Sequence, residues 1–461
     1  MTIKIHIDKA PVSHIDKKLF GNFIEHIENC ILGGICDPES PLADSTGIRT
    51  DVLEKCKELA PPILRIPGGT VIGIYHWEDH VGPVENRKKM RNLIWGNRLC
   101  HEFGTAEFVT YCRQIGAEPM ICVNMPTGSA EEAAHWVEYC NGTDDTYYAN
   151  LRRAHGYPEP FNVKYWCIGN ESHAEPDLGW QHNVDIYIRE AWEFTKYMKL
   201  TDPTLKLVFV GHDEAWNRAV LDSLGDVCDY LSLHYYTQTP DFSHIERFET
   251  KSLRAVEQLL DEYNQKELTH SRWYRFPPRA ENIRIALDEW NIWSNRPTSA
   301  DPYGLFDRYD WTSALWVAKF LHMMIRHSHH IGIGNMAQMV NVIAPIVAEK
   351  DGSWKQTIFY PMRLYPAFCG ESLLNVSYDC PQLDLVATLR NGGGYAIFAV
   401  NTAADPLTVE LEAPLRSHSV LTCASPDLVN DAQHDYVQEY TLSPSGNSAI
   451  LPPHSISLLT I

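Results

Sequence analysis

The chain has 461 residues, with 39 Lys and Arg against 59 Asp and Glu, and so a formal charge of −20. At 44% hydrophobic and 21% charged it has ordinary globular composition, which excludes wholesale disorder. The acidic balance argues against a nucleic-acid partner, because phosphate binding needs a basic face.

No apolar run approaches the roughly 20 residues that cross a bilayer, so no membrane association is expected. The opening MTIKIHIDKA alternates like a strand and lacks the apolar core of a secretory signal. Twelve cysteines are scattered without a C-x-x-C pair, and several lie in apolar runs, as Cys122 and Cys167 do. They read as buried, reduced thiols of a cytoplasmic protein rather than disulfides or zinc ligands.

In chain order, a strand-like segment at 2–8 has no helix partner. Eight β-rich runs follow at 19–27, 63–69, 118–125, 163–171, 205–212, 229–237, 284–291 and 333–342. Helical periodicity falls between them, for example at 48–59, 105–115, 129–140, 185–200, 249–266 and 311–327. Eight strand–helix alternations predict a (β/α)8 TIM barrel over residues 17–350. A doubly wound sheet is the competitor, but it usually carries a glycine-rich turn after its first strand, and here that strand ends in Glu25-His26. After about residue 350 helical periodicity disappears, and short β runs are divided by Gly, Pro, Asn and Asp. That predicts a C-terminal antiparallel β-sandwich, jelly-roll-like, built from 351–461 together with 1–16.

In such a barrel the chemistry sits at the C-terminal strand ends. There the runs place Glu25-His26, Arg65, Asn124, Asn170-Glu171, His212, His234 with Tyr236, Glu289 with Asn291, and Gln338 with Asn341. Unpaired buried polar groups cost roughly 1–3 kcal/mol each, so a purely structural protein would not gather them at one rim. Glu171 ends strand four in W-C-I-G-N-E and Glu289 ends strand seven in A-L-D-E-W-N. Opposed carboxylates on one mouth are what glycoside hydrolysis needs: one protonated donor and one ionised nucleophile or base.

Taken together, G-N-F-I-E-H, L-R-I-P-G-G, F-G-T-A-E-F, W-C-I-G-N-E, S-L-H-Y-Y, D-E-W-N-I-W and A-Q-M-V-N-V-I-A-P-I resemble glycoside hydrolase family 51. The C-terminal S-P-D-L-V-N and L-P-P-H-S-I-S also resemble that family, which contains intracellular α-L-arabinofuranosidases. The resemblance implies a retaining double displacement, with Glu171 as acid/base and Glu289 as nucleophile. It implies that Asn170 bonds the sugar 2-OH, Tyr236 orients the nucleophile, Arg65 keeps it ionised, and Glu25, His234 and Gln338 line the sugar pocket. It implies no cofactor, an arabinofuranosyl-containing oligosaccharide as substrate, and a homo-oligomer, a hexamer. Family 51 also acts on xylosides and β-glucans, and a β-D-galactofuranoside belongs with these alternatives.

Three departures touch the expected rim: Thr70 after P-G-G, Leu99-Cys100-His101 before F-G-T, and the long polar run S-H-A-E-P-D-L-G-W-Q after Glu171. Among the tryptophans in rim loops, Trp77, Trp95, Trp180 and Trp293, one or two are expected to stack on sugar, with Trp95 and Trp180 the candidates. His327, His329 and His330 end a helical segment before strand eight, on the face away from the site, and His26 and His173 lack a third ligand; no metal is expected. Sequons occur at Asn141, Asn170 and Asn375, and glycosylation at Asn170 would block the site. The competing readings are a catalytically silent sugar-binding protein on the same fold and a metal-dependent hydrolase using the rim histidines.

Overall fold

Two short strands open the chain, β1 (Thr2–Lys4) and β2 (His6–His14), and both find partners far along it. The computed structural model describes residues 2–175, 183–266, 275–299, 301, 304–444 and 446–461. Eight parallel strands then close into a barrel: β3 (Gly21–Phe23), β4 (Ile63–Ile66), β5 (Glu118–Val123), β6 (Tyr165–Ile168), β7 (Lys206–Val210), β8 (Tyr230–Thr237), β9 (Arg284–Ile292) and β10 (Ile331–Ala337). β10 pairs with β3 to complete the ring. Most are buried along their length, as strands covered on both faces must be, which is why they read as apolar runs.

Helices α1 (Thr50–Leu59), α2 (Thr105–Ile115), α3 (Ala130–Asn141), α4 (Tyr147–Ala154), α5 (Val184–Thr201), α6 (Glu214–Leu224), α7 (Phe242–Arg247), α8 (Arg254–Asn264) and α9 (Trp311–Arg326) connect the strands. Their starts follow from side-chain caps. Ser129, Asn183, Asp213 and Asp310 each accept a backbone N–H of the first turn. The predicted helix at 249–266 falls on α8 and on the wide turn at 248–253 that joins it to α7.

β9 departs from a regular ladder. Ser232 pairs with Ala286 but His234 pairs with Glu289, so two residues of β8 face three of β9. The same excess appears against β10, where Gly334 pairs with Leu287 and Met336 with Trp290. This one-residue bulge breaks the alternation of side chains and turns both Asp288 and Glu289 toward the barrel interior.

Beyond the barrel come a hairpin, β11 (Ile346–Glu349) and β12 (Gly352–Lys355), and a helix, α10 (Phe359–Phe368). The helix corrects the expectation that none follows residue 350. Its two prolines read as turn signals, yet Pro361 lies in the first turn, where the missing N–H costs nothing, and Pro366 lies near the end. The remaining strands are β13 (Ser372–Ser377), β14 (Leu383–Leu389), β15 (Tyr395–Asn401), β16 (Leu407–Glu410), β17 (Ser417–Cys423), β18 (Val437–Leu442), β19 (Ser448–Leu451) and β20 (Ser455–Thr460). They form a seven-stranded sheet, β18-β17-β20-β15-β14-β13-β2, and a three-stranded one, β1-β16-β19. All their pairings are antiparallel except β1 with β16, which is parallel. Ile3, Ile5, Leu385, Val409, Leu451 and Leu459 fill the space between the sheets. α9 carries the barrel onto this module: buried His322 lies 2.7 Å from Asp384 on β14, and Arg326 reaches the same carboxylate at 2.9 Å.

Candidate active site

The C-terminal ends of the barrel strands surround a cavity of about 360 Å3. Its wall includes Glu25 after β3, Asn170 and Glu171 after β6, Tyr236 on β8, Glu289 on β9 and Gln338 after β10, with Trp95 and Trp293 at the side. Glu171 follows Gly169 in a left-handed turn, with φ of 83° at the glycine and 42° at the glutamate. A non-glycine residue there costs roughly 1–2 kcal/mol, a local strain of the kind that collects at functional sites. A larger hollow of about 490 Å3 lies on the barrel flank against α2. Of its carboxylates, Glu102 and Glu107 are paired with Arg98 and Arg87, and Asp44 accepts from Thr46 and the Ile48 N–H.

Both mouth carboxylates are tied to buried cations. Arg65 Nη1 donates to Glu289 Oε1 at 2.6 Å and its Nη2 to Asn170 Oδ1 at 2.6 Å. The Tyr236 hydroxyl donates to Glu289 Oε2 at 2.8 Å. His234 Nδ1 lies 2.6 Å from Glu171 Oε1 and 3.5 Å from Glu289 Oε2. One oxygen of each carboxylate and a nitrogen of His234 all lie within 4.8 Å of one another. Glu25 accepts from Val71 N–H at 3.2 Å, Trp95 Nε1 at 3.3 Å and Gln338 Nε2 at 3.4 Å.

These surroundings separate the protonation of Glu25 and Glu171. Burial, reinforced by the charge of Glu289, pushes Glu25 up to about 8. Burial also raises Glu171, but the hydrogen bond and charge of His234 outweigh it and hold the carboxyl below its usual value. Burial pulls His234 down, while Glu289, Asp288 and Glu171 together push it well above the ordinary histidine range. The proton shared by His234 and Glu171 therefore rests on the imidazole.

The trio Glu171, His234 and Glu289 is close enough to embrace a cation, as are Asp261, His329 and His330 at the far end of the barrel. In the first set Arg65 already neutralises Glu289 and His234 is protonated, so the charge a metal would supply is present. In the second, His330 bridges Glu257 and Asp261 as an ion pair, next to His327 between Glu249 and Glu257.

Comparison with known proteins identifies the family. A family model described as "Alpha-L-arabinofuranosidase 1 domain" matches residues 55–254, and one described as "Alpha-L-arabinofuranosidase C-terminal domain" matches 288–455. The chain is 34% identical over 498 residues to a probable alpha-L-arabinofuranosidase C of Aspergillus niger, covering 99% of this chain and 96% of that protein. The chain belongs to glycoside hydrolase family 51. It is also 35% identical over 431 residues, 87% of this chain and 85% of the relative, to a protein of Halalkalibacterium halodurans named intracellular exo-alpha-(1->5)-L-arabinofuranosidase. The crystal structure of the alpha-L-arabinofuranosidase from Thermotoga maritima, an arabinose complex, superposes with a TM-score of 0.89 at 33% identity, covering both chains completely.

On this family 51 barrel the residues expected at the site divide into three groups. Glu25, Trp95, Asn170, Glu171, Tyr236, Glu289 and Gln338 face the cavity. Arg65 and His234 are not on its wall; they stand behind it and hold the carboxylates, Arg65 being 1% exposed. Trp180 lies outside the described residues. Of the departures, Thr70 lines the cavity, whereas Leu99 and Cys100 are buried behind it, with Cys100 N–H on His26 Nδ1.

Other polar strand ends turn out to be braces. Asn124 bonds Tyr75 O and Thr127, Asn291 bonds Ala337 O and Ile343 O, and Asn341 bonds Asn29 O. Trp77 is buried in a stack on Trp136, and His173 stacks on His212. Ile343, Val342 and Leu305 add an apolar side to the cavity that went unread, because nothing in a short apolar loop marks it as pocket. Asp288 was also passed over, although it stands in D-E-W-N, because regular alternation would turn it away from Glu289.

Proposed function

We propose that this chain is a retaining exo-α-L-arabinofuranosidase, releasing terminal arabinofuranosyl residues from arabinose-containing oligosaccharides by double displacement. The observation that carries the reading is the spacing of Glu171 and Glu289, whose nearest oxygens lie within 4.8 Å. Retention uses carboxyl groups about 5–5.5 Å apart, and inversion about 6.5–9.5 Å, to admit a water. Glu289, held by Arg65 and Tyr236, attacks the anomeric carbon. Glu171 gives the leaving oxygen the proton it shares with His234. Having given up its proton, Glu171 is a carboxylate and takes the proton of the incoming water as that water attacks the glycosyl ester, which frees the sugar and Glu289. Asn170, fixed by Arg65, is placed for the sugar 2-OH, and Glu25 with Gln338 for other hydroxyls. The exo assignment and an intracellular site of action draw support from the name of the Halalkalibacterium relative. Residues 17–350 form the catalytic unit in this reading, and 1–16 with 351–461 its accessory sandwich.

Thr70 on the cavity wall keeps a second sugar in play. A panel of aryl α-L-arabinofuranoside, β-D-xyloside, β-D-galactofuranoside and β-D-glucoside, with the anomer of the first-formed product read by NMR, tests both parts. Preferred arabinofuranoside hydrolysis with retained configuration is expected, undiminished in EDTA and abolished in Glu289→Ala. An inverted first product, or activity unchanged in Glu171→Ala and Glu289→Ala, refutes it.

A further inference from the structure

Below the cavity lies a further carboxylate that takes no direct part in this reaction. Asp288 is fully buried. Its Oδ1 accepts the Ser232 hydroxyl at 2.6 Å and lies 3.6 Å from His234 Nε2. Its Oδ2 lies 3.4 Å from Arg65 Nε and 4.0 Å from Cys167 Sγ. A lone buried carboxylate is strongly unfavourable, so the two cations account for its presence. Those same cations are the ones that reach the mouth: Arg65 goes on to Glu289, and His234 to Glu171. Each contacts Asp288 with one nitrogen and a mouth carboxylate with another.

We propose that Asp288 is the positioning residue of this site, anchoring Arg65 against Glu289 and His234 against Glu171 so that one buried charge places both carboxylates. The inference rests on the reading of Glu171 and Glu289 given above. The β9 bulge is what brings Asp288 in: with regular pairing it would face outward, and neither cation would have a counter-charge beneath the pocket. The charged and titratable groups facing Asp288 are Arg65 from β4, Cys167 from β6 and His234 from β8, with Glu289 beside it on β9; His234 also faces Glu171 and His173. Burial alone would raise Asp288, but the charge of Arg65, then His234 and Ser232, hold it below its usual value, so it is an anion throughout the working range.

Asp288→Asn keeps the shape and an oxygen for Ser232 while removing the charge. The His234–Glu171 pair then gives up its proton at lower pH. For an aryl glycoside that the wild type hydrolyses, kcat is expected to fall about 100-fold with KM within about threefold, and the alkaline limb of kcat/KM to move down by about one pH unit. Ser232→Ala, which leaves the charge and removes one hydrogen bond, should give a few-fold loss with a smaller shift in the same direction. A purely structural Asp288 would lower the melting temperature in both variants and leave the pH limbs where they are, which overturns the proposal. If Asp288→Asn does not fold, Ser232→Ala decides on the same two readouts. Glu289→Ala separates the two levels. Full activity there overturns the reading and the positioning role together. An inactive Glu289→Ala beside an unmoved Asp288→Asn profile overturns the positioning role alone.

Discussion

Arg65 and Glu289 meet at 2.6 Å with both side chains out of solvent, the guanidinium 1% exposed and the carboxylate 8%. Breaking one partner of such a pair leaves the other buried and uncompensated, at about 3–5 kcal/mol. Arg65→Met strands two anions, Glu289 and Asp288. It should lower unfolding stability by about that amount and reduce kcat/KM on an aryl arabinofuranoside more than about 100-fold. Urea unfolding alongside steady-state kinetics checks both halves; wild-type stability in the variant would mean the pair is not buried in solution.

Tyr236 bonds Glu289 through its hydroxyl alone, so Tyr236→Phe removes one contact and little packing. A hydrogen bond to a charged group is worth about 1.5–3 kcal/mol, which predicts a fall of about 10–100-fold in kcat/KM. The melting temperature should stay within a degree or two of wild type. A kcat/KM unchanged in the variant would remove Tyr236 from the nucleophile's support.

Glu25 carries its proton up to about pH 8 in the fold, against about 4.5 in an unfolded chain. The native state thus binds that proton more tightly, and the stability it contributes is present at low pH and lost as pH rises through 8. Glu25→Gln has no such titration. Relative to wild type it should gain stability between pH 4.5 and 8, by up to about 1.4 kcal/mol per pH unit, and level off above. Denaturant midpoints of both proteins at pH 5, 6.5 and 8.5 give the difference; a flat difference contradicts the burial argument.

His327, at the far end of the barrel, behaves oppositely in chemistry but not in sign. Burial lowers it, and the hydrogen bonds it donates to Glu249 and Glu257 more than compensate, raising it to about 9. Its contribution to stability is full below about pH 6.5 and fades as pH climbs to 9. His327→Gln should cost about 1–3 kcal/mol at pH 6 and much less at pH 9.5, with kcat/KM unchanged at either pH. A pH-independent cost would show that packing, not charge, is what the imidazole provides.

The barrel was legible because its strands are covered on both faces and so appear as apolar runs ending abruptly in polar residues. Glu171 and Glu289 were legible for the same reason. What their neighbours do was not. Asn170 and Asn291 look alike in sequence, yet one faces the cavity and the other clamps the end of β10, at Ala337 O, to the loop beyond it, at Ile343 O. Trp77 and Trp95 share a connection, and only the second reaches the cavity. Such distinctions depend on where loops return, which local periodicity does not encode. The β9 bulge hides in the same way: one inserted residue leaves composition untouched and reverses which side Asp288 faces. α10 was obscured by prolines whose positions within a helix, rather than their presence, decide their effect.

The pairing of β1 with β16 has a temporal side. Thr2 meets Thr408, so β1 waits for a partner made about 400 residues later. At about 5–20 residues per second, translation alone keeps that edge waiting about 20–80 s. β2 waits nearly as long for β13. Throughout, their exposed faces present Lys4, His6, Asp8 and Lys9, polar groups that discourage edge-to-edge pairing with a neighbouring nascent chain. The barrel can close around its own consecutive strands while the N-terminal segment stays free. That segment then becomes the clasp, fastened last, that joins β1 and β2 to strands made after the barrel.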